Sequence, residues 1–131
     1  MKRTPVWVRA DVVEAIHQRQ LAEHGGAAGV RDAGLLASAL DRPQNLLAYG
    51  EPAPDLARLA AAYGFGIARD HPFVDGNKRT ALVVMLVFLK LNGMEITATG
   101  PETYEFMIAL AQGRLDEAGL ADWLRGHVSK G

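Results

Sequence analysis

The chain has 131 residues, the usual size of one domain, and 49% of them are hydrophobic, which argues against disorder. It contains no cysteine, which excludes disulfides, thiol catalysis and thiolate metal sites and suits a reducing cytoplasm. The 14 Lys and Arg residues against 15 Asp and Glu residues give a formal net charge of −1, so no global basic field holds nucleic acid. We expect a single domain over residues 1–131.

No export signal or membrane span is expected. Lys2 and Arg3 are followed by the charged Arg9 and not by an apolar stretch, so a signal peptide is not predicted. The most apolar run, Ala81–Leu89, is far shorter than the ~20 residues that a membrane helix needs. The sequence therefore favours a cytoplasmic protein without a membrane partner.

Helix signals recur along nearly the whole chain. Start residues, apolar stripes at i, i+3, i+4 spacing and Gly or Pro stops predict six helices. They run from Asp11 to Gly25, from Asp32 to Pro43, from Asp55 to about Asp70, over Asn77–Asn92, from Pro101 to Gly113 and from about Asp116 onward.

The segments between these helices are predicted to be short or irregular. Gln44–Pro54 contains three helix breakers and is predicted to be a loop. Glu95–Thr99 is short and β-branched, which is typical of a marginal strand. The apolar residues of Asn77–Asn92 surround its helix, so it is predicted to be the central one. The expected fold is an all-α bundle of six helices around this central apolar helix, with at most a marginal short hairpin.

One stretch carries most of the chemical information: it reads HPFVDGNKRT, from His71 to Thr80, where a loop meets the predicted central helix. A helix N-terminus offers free N–H groups and the positive end of the helix dipole to an anion. Gly76 has no side chain to block that anion, and Asn77 adds a donor. Lys78 and Arg79 are unfavourable at this end of an isolated helix, so we expect a negative ligand to compensate them.

Two further residues of this stretch suggest catalysis. Asp75 can provide an oxygen ligand to Mg²⁺, the ion that accompanies nucleotide phosphates. His71 can take a proton from a hydroxyl near neutral pH. Each residue alone has a plainer interpretation, as a helix cap or a loop histidine, but together they predict phosphoryl or nucleotidyl transfer. The spacing of Gly76 and Lys78 excludes a Walker A loop.

HPFVDGNKRT resembles the core motif of the Fic (filamentation induced by cAMP) superfamily, His-Pro-Phe-x-Asp/Glu-Gly-Asn-Gly/Lys-Arg. Lys78, where most Fic proteins have Gly, is similar to the Doc branch, the "death on curing" toxins of Phd–Doc toxin–antitoxin modules. The segments GVRDAGLLASALDRPQ, FLKLNG and ADWLRG also resemble Doc, so the resemblance covers essentially the whole chain. Pro72 and Gly76 are closer to the general Fic pattern than to the founding Doc toxin.

The resemblance implies an all-helical enzyme that uses ATP and Mg²⁺. Fic proteins usually transfer AMP to a hydroxyl of a target protein, whereas the Doc Lys is associated with a reversed nucleotide and with transfer of the γ-phosphate. The chain then resembles a protein Ser/Thr kinase that modifies elongation factor Tu and arrests translation. A Phd-like antitoxin neutralises such toxins through a C-terminal segment, and DNA is reached only through that antitoxin.

The same resemblance implies roles for single residues. His71 matches the general base, and Asp75 matches an acidic position that binds metal or assists proton transfer. Phe73 matches an apolar anchor of the loop. The remaining matched positions contact the nucleotide or its phosphates, and they are Gly76, Asn77, Lys78, Arg79 and the further candidate Arg69.

Two other functions stay open at this point. Pro72 and Gly76 favour AMP transfer, and a catalytically idle chain that serves as an antitoxin-binding corepressor is the second alternative. Tyr63, Trp123 and Gln44–Pro54 suggest surface that a partner could cover. His17, on the apolar face of the first helix, is predicted to be a packed, hydrogen-bonded core residue.

Overall fold

Six helices and two short strands make up the computed structural model, which describes residues 4–131. The elements are α1 (Ala10–His24), α2 (Ala33–Tyr49), α3 (Leu56–Asp70), α4 (Asn77–Leu91), β1 (Met94–Ile96), α5 (Gly100–Ala111), α6 (Glu117–Gly126) and β2 (Val128–Lys130). The predicted all-α class is confirmed. Lys2 and Arg3, cited above against a signal peptide, lie outside the described residues. None of the helices described here has the length and hydropathy to cross a membrane.

Two helices, α3 and α4, share the centre of the bundle. The predicted central helix, α4, is joined there by α3, which packs against α2, α4 and α6 and is the more deeply buried of the two. Small residues make this possible. A Cβ added at Gly64 would overlap the side chain of Met85 on α4, and one at Gly66 would lie 3.2 Å from the Ala39 Cβ on α2. The two glycines therefore let α3 approach both neighbours closely.

Pro43 does not end α2, contrary to the sequence prediction. The helix continues to Tyr49, so the first part of the predicted loop Gln44–Pro54 is helical. Proline removes one backbone hydrogen bond and costs about 3 kcal/mol in a helix interior. Here Pro43 lies on the same buried face as Leu36 and Ala39, which α2 turns toward α3. Burial of that face offsets the local cost, a balance that propensity alone does not show.

A strand forms where one was predicted, but it covers Met94–Ile96 and so ends three residues before Thr99, which instead caps α5. Its partner strand comes from the far end of the chain. β1 pairs with β2 in antiparallel register, with Glu95 opposite Ser129. Between the two strands, α5 begins with a capping box in which Thr99 and Glu102 each accept a hydrogen bond from the other's backbone N–H. This ribbon fastens the C-terminal residues to the end of α4.

Asp55 connects the start of α3 to α6. Its Oδ1 accepts the Arg58 N–H at 2.9 Å, which caps α3. Both carboxylate oxygens also accept from the guanidinium of Arg125, at 2.8 and 3.1 Å. The hydrogen bonds from Arg125 lower the pKa of Asp55 below its ordinary value, burial opposes this shift, and the Arg58 N–H adds to the lowering.

We expect Asp55→Ala to lower the free energy of unfolding by about 1 kcal/mol, the typical contribution of an N-cap. Asp55→Asn keeps a good cap and should lose less, so it is the matched control. Because the folded pKa lies below the unfolded value of about 3.9, the charged carboxylate stabilises the fold above that pH. This contribution disappears as pH falls through the folded pKa, and only the natural chain should show it. Urea unfolding at neutral and acidic pH measures both effects, and identical curves for all three proteins contradict the assignment.

Candidate active site

His71 stands in an unusual backbone conformation at the end of α3. Its φ of 50° and ψ of 57° are left-handed, and it is the only non-glycine residue with positive φ among residues 4–131. Its N–H donates to the Ile67 carbonyl at 3.3 Å and so closes the last turn. For an L-residue this conformation costs about 1–2 kcal/mol, and such strain concentrates at functional sites. The residue itself is exposed.

The turn after His71 is organised around a buried aromatic ring. Phe73 is 1% exposed, and the Asn77 side chain holds its backbone from both sides. The Asn77 Oδ1 accepts the Phe73 N–H at 2.9 Å, and the Asn77 Nδ2 donates to the Phe73 carbonyl at 3.0 Å. The Asn77 amide is therefore occupied by the turn, which leaves its backbone N–H as the group available to an anion.

His17 supports the same turn from α1. It is 3% exposed, and its ring stacks on Phe73 with 3.8 Å between centroids. Its Nε2 lies 2.8 Å from the Asp75 carbonyl oxygen, which can only accept, so Nε2 carries the proton. The prediction of a packed, hydrogen-bonded His17 is confirmed. The sequence analysis did not predict that His17 contacts the motif. The available signal was that His17 is a polar residue on an otherwise apolar helix face.

The first turn of α4 presents its backbone donors without a cap. Gly76 is the N-cap residue, with a left-handed φ of 74°, and no side chain accepts from the turn that follows. Asp75 uses Oδ1 to accept the Gly76 N–H at 2.8 Å, one residue too early to cap the helix. In the described part of the chain, the N–H groups of Asn77, Lys78 and Arg79 have no partner. They form the kind of site that binds phosphate oxygens.

The two cations of the motif differ in their surroundings. The Lys78 ammonium donates to the Ala111 carbonyl at 3.1 Å, at the C-terminal end of α5, where a positive charge also suits the helix dipole. Arg79 is exposed, and no hydrogen bond or ion pair engages its side chain within residues 4–131. Lys78 therefore connects α4 to α5, whereas the Arg79 guanidinium is available to a ligand.

These groups line one cleft of about 860 Å³, a size suited to a nucleotide. Its polar lining includes the motif residues His71, Asp75, Gly76, Asn77, Lys78 and Arg79, together with Gln20 and His24 of α1 and Thr103 of α5. Its opposite wall is apolar and comes from α4 and α5, with Leu82, Val83, Tyr104, Met107 and Ile108. The structure thus brings together all but one of the residues predicted to act on the nucleotide.

The exception is Arg69. Its guanidinium lies over the Phe65 ring, 5.1 Å from the centroid, and its Nε is 3.1 Å from the Asp70 carboxylate. It lines a separate depression between α2 and α3 that also contains Arg42. The helix turns Arg69 away from the His71 cleft, a fact that a separation of two residues in sequence does not reveal.

Asp75 fits a magnesium ion that is shared with a nucleotide. No group of three or more His, Asp or Glu side chains that could hold a metal occurs among residues 4–131. Mg²⁺ commonly takes one or two carboxylates and completes its shell with phosphate oxygens and waters. Asp75 is exposed, and among residues 4–131 its second oxygen accepts one long hydrogen bond, from the Ala27 N–H at 3.4 Å, so it can provide such a carboxylate.

Comparison with known proteins shows the family of this chain. The family model described as "Fic/DOC family" matches residues 7–89. The chain belongs to the Fic/DOC family. It is 36% identical over 111 residues to "Protein kinase doc" of Escherichia phage P1, with 85% of this chain and 86% of the relative covered. It is 40% identical over 99 residues to "Toxin Doc" of Mycolicibacterium smegmatis, with coverage of 75% and 71%. The expected resemblance to the Doc branch is confirmed.

Replacing His17 tests whether α1 supports the motif turn. We expect His17→Ala to lower the free energy of unfolding by about 2 kcal/mol, because it removes a buried hydrogen bond and the stack on Phe73. His17→Phe keeps an aromatic ring but no donor, so it should lose a smaller part of that stability. Hydrogen exchange at residues 73–77 reports the turn directly. Unchanged exchange in both variants would show that the turn does not depend on His17.

Proposed function

We propose that this protein is a toxin of a toxin–antitoxin module that transfers the γ-phosphate of ATP to a hydroxyl of elongation factor Tu in the cytoplasm. One observation carries the proposal: the exposed His71 shares a single cleft with the uncapped start of α4 and the unpaired Arg79. The relatives named as a kinase and as a toxin support the same function.

The geometry suggests how the chain's own groups act. The N–H groups at the start of α4 and the Arg79 guanidinium bind the phosphates. Mg²⁺ held by Asp75 would neutralise phosphate charge. His71 takes the proton of the target hydroxyl while its oxygen forms a bond to the γ-phosphorus. The bond from that phosphorus to the bridging oxygen breaks, and ADP leaves with the electron pair. The products are a phosphorylated target, ADP and a protonated His71.

Removing the base tests the proposed mechanism. His71→Ala should lower transfer about 10²–10⁴-fold, the usual contribution of a general base, and should abolish growth arrest in cells. The fold should survive, because His71 is exposed. The assay uses purified protein, ATP and elongation factor Tu, and the mass of the target is the readout. Retained toxicity of the variant at equal expression removes His71 from the mechanism.

AMP transfer is the second candidate, and Gly76 favours it, because an N-cap without a side chain leaves room for an anion. Lys78 favours the kinase. Its stem crosses toward α5, and its ammonium is fixed at the Ala111 carbonyl, so part of the cleft beside the helix start is filled. We infer that this contact selects the nucleotide orientation that presents the γ-phosphate to the target.

The natural chain should add a phosphate-sized mass to its target, and Lys78→Gly should allow some AMP-sized product. Lys78→Met keeps the stem without the charge, so it separates filled space from the ammonium. If the stem decides the orientation, Lys78→Met should still give only the phosphate-sized product. An AMP-sized adduct made by the natural chain, with no phosphate-sized one, refutes the kinase proposal and leaves an active Fic-type enzyme.

Of the residues first suggested as antitoxin surface, Tyr63 is fully buried, and the half-buried Trp123 ring stacks between Phe106 and His127. Gln44–Pro54 remains exposed in part, with Tyr49 84% exposed. Val74 and Tyr104 are 51% and 67% exposed and line the cleft that contains His71. We propose that the C-terminal segment of a Phd-like antitoxin covers these apolar side chains and blocks the cleft.

Co-expression with the antitoxin of its operon should yield a complex, and Tyr104→Ala should weaken it. Ordering a disordered segment on binding costs roughly 2–5 kcal/mol, so loss of one apolar anchor should be measurable. Tyr49 is 84% exposed, lies outside the cleft and belongs to Gln44–Pro54, so a complex weakened by Tyr49→Ala and not by Tyr104→Ala would place the antitoxin on that segment instead. Failure to co-purify contradicts the module. A stable complex whose toxin, once freed from the antitoxin, shows no ATP-dependent transfer supports the idle corepressor instead.

A further inference from the structure

The segment that joins α1 to α2 runs beside the motif turn. Within residues 29–32, Val30 pairs with Phe73 in an isolated antiparallel bridge. The next residue, Arg31, donates its backbone N–H to the Pro72 carbonyl at 2.7 Å. This segment lies about 40 residues before the motif in sequence and belongs to a stretch that the proposed chemistry does not use.

The side chain of Arg31 continues the same contact. Its Nε donates to the His71 carbonyl at 2.7 Å, and its Nη2 donates to the Asp70 carbonyl at 2.8 Å. Together with the backbone bond to Pro72, one residue satisfies three consecutive carbonyls where α3 ends. Arg31 is exposed, so the two hydrogen bonds of its guanidinium, and not burial, define the position of its side chain.

These contacts act on the backbone that carries His71. The last carbonyls of a helix lack partners inside the helix, and glycine in the left-handed conformation normally solves the problem. Here a histidine adopts that conformation, and the guanidinium supplies the missing donors. Its positive charge also suits the negative end of the α3 dipole. A planar fork reaches both carbonyls at once, which a lysine ammonium on a single stem does less well.

We propose that Arg31 is a positioning residue for His71, an inference that rests on the proposed role of His71 as the base. Arg31 touches no reacting atom. It holds His71 in the left-handed conformation, and this sets the direction in which the imidazole leaves the backbone. Without the fork, the backbone at His71 relaxes toward an ordinary conformation, and the imidazole moves out of reach of the target hydroxyl.

The test compares Arg31→Ala and Arg31→Lys with the natural protein and with Arg19→Ala, which removes an exposed arginine of α1. We expect Arg31→Ala to lower kcat on the order of 10²-fold, the effect of a misplacement of about 1 Å, with KM for ATP nearly unchanged. Arg31→Lys should fall between. Millimolar guanidinium, too dilute to unfold the protein, should restore part of the Arg31→Ala activity. The extent of growth arrest in cells gives a second ranking of the variants, and this ranking does not require that the target protein be known.

The outcomes separate this inference from the proposed function. If His71→Ala is inactive while Arg31→Ala and Arg31→Lys keep full kcat, the role of Arg31 is refuted and the base stands. If His71→Ala remains active, the proposed role of His71 as the base fails, and with it this inference, whatever Arg31 does. The inference is overturned if an Arg31 variant loses thermal stability, if its kcat and KM change alike and if guanidinium restores no activity. Those results together indicate that Arg31 has a merely structural role. Should Arg31→Ala fail to fold, Arg31→Lys decides by the same criteria, because it keeps the charge.

Discussion

The turn between α3 and α4 must hold an exposed histidine and a buried phenylalanine only two residues apart. Buried backbone groups have to be paired, and the turn pairs them with side chains from elsewhere. The Asn77 amide takes both backbone groups of Phe73, and His17 takes the Asp75 carbonyl. The rest of the site depends on this pairing, because a turn that is held from several sides has one conformation.

The same turn divides paired from unpaired groups. The Phe73 backbone and the Asp75 carbonyl are hydrogen-bonded. Among residues 4–131, the buried Thr80 hydroxyl has no partner, and the donors of the first turn of α4 and the Arg79 guanidinium face the cleft unpaired. Donors that are fixed before the ligand arrives need no rearrangement when charge develops on a phosphate. The strain at His71 is the local cost of this arrangement, and Arg31 offsets it at the end of α3.

Packing of α3 against its neighbours places the cleft. Close contacts at Gly64 and Gly66 set α3 against α4 and α2, and the Asp55–Arg125 pair ties its other end to α6. α5 then completes the apolar wall, and Lys78 bridges to its last turn. The motif thus provides most of the polar lining of the cleft, whereas α5 and the next turn of α4 provide its apolar wall.

The six helices and the motif can be predicted from the sequence, because both are local: apolar spacing, caps and a ten-residue stretch can be read without contacts. The sequence could not show that Pro43 lies inside a helix, because burial against α3 outweighs the proline penalty. It also could not show that α3 shares the centre of the bundle, because that depends on which helices pack against it. Nor could it reveal that Arg69 points away from the cleft or that the Arg31 side chain donates a hydrogen bond to the His71 carbonyl. Both facts depend on contacts between segments far apart in sequence: one depends on which face of α3 is turned to the cleft, and the other on which carbonyls lie beside the loop that carries Arg31. Such contacts exist only in the folded chain.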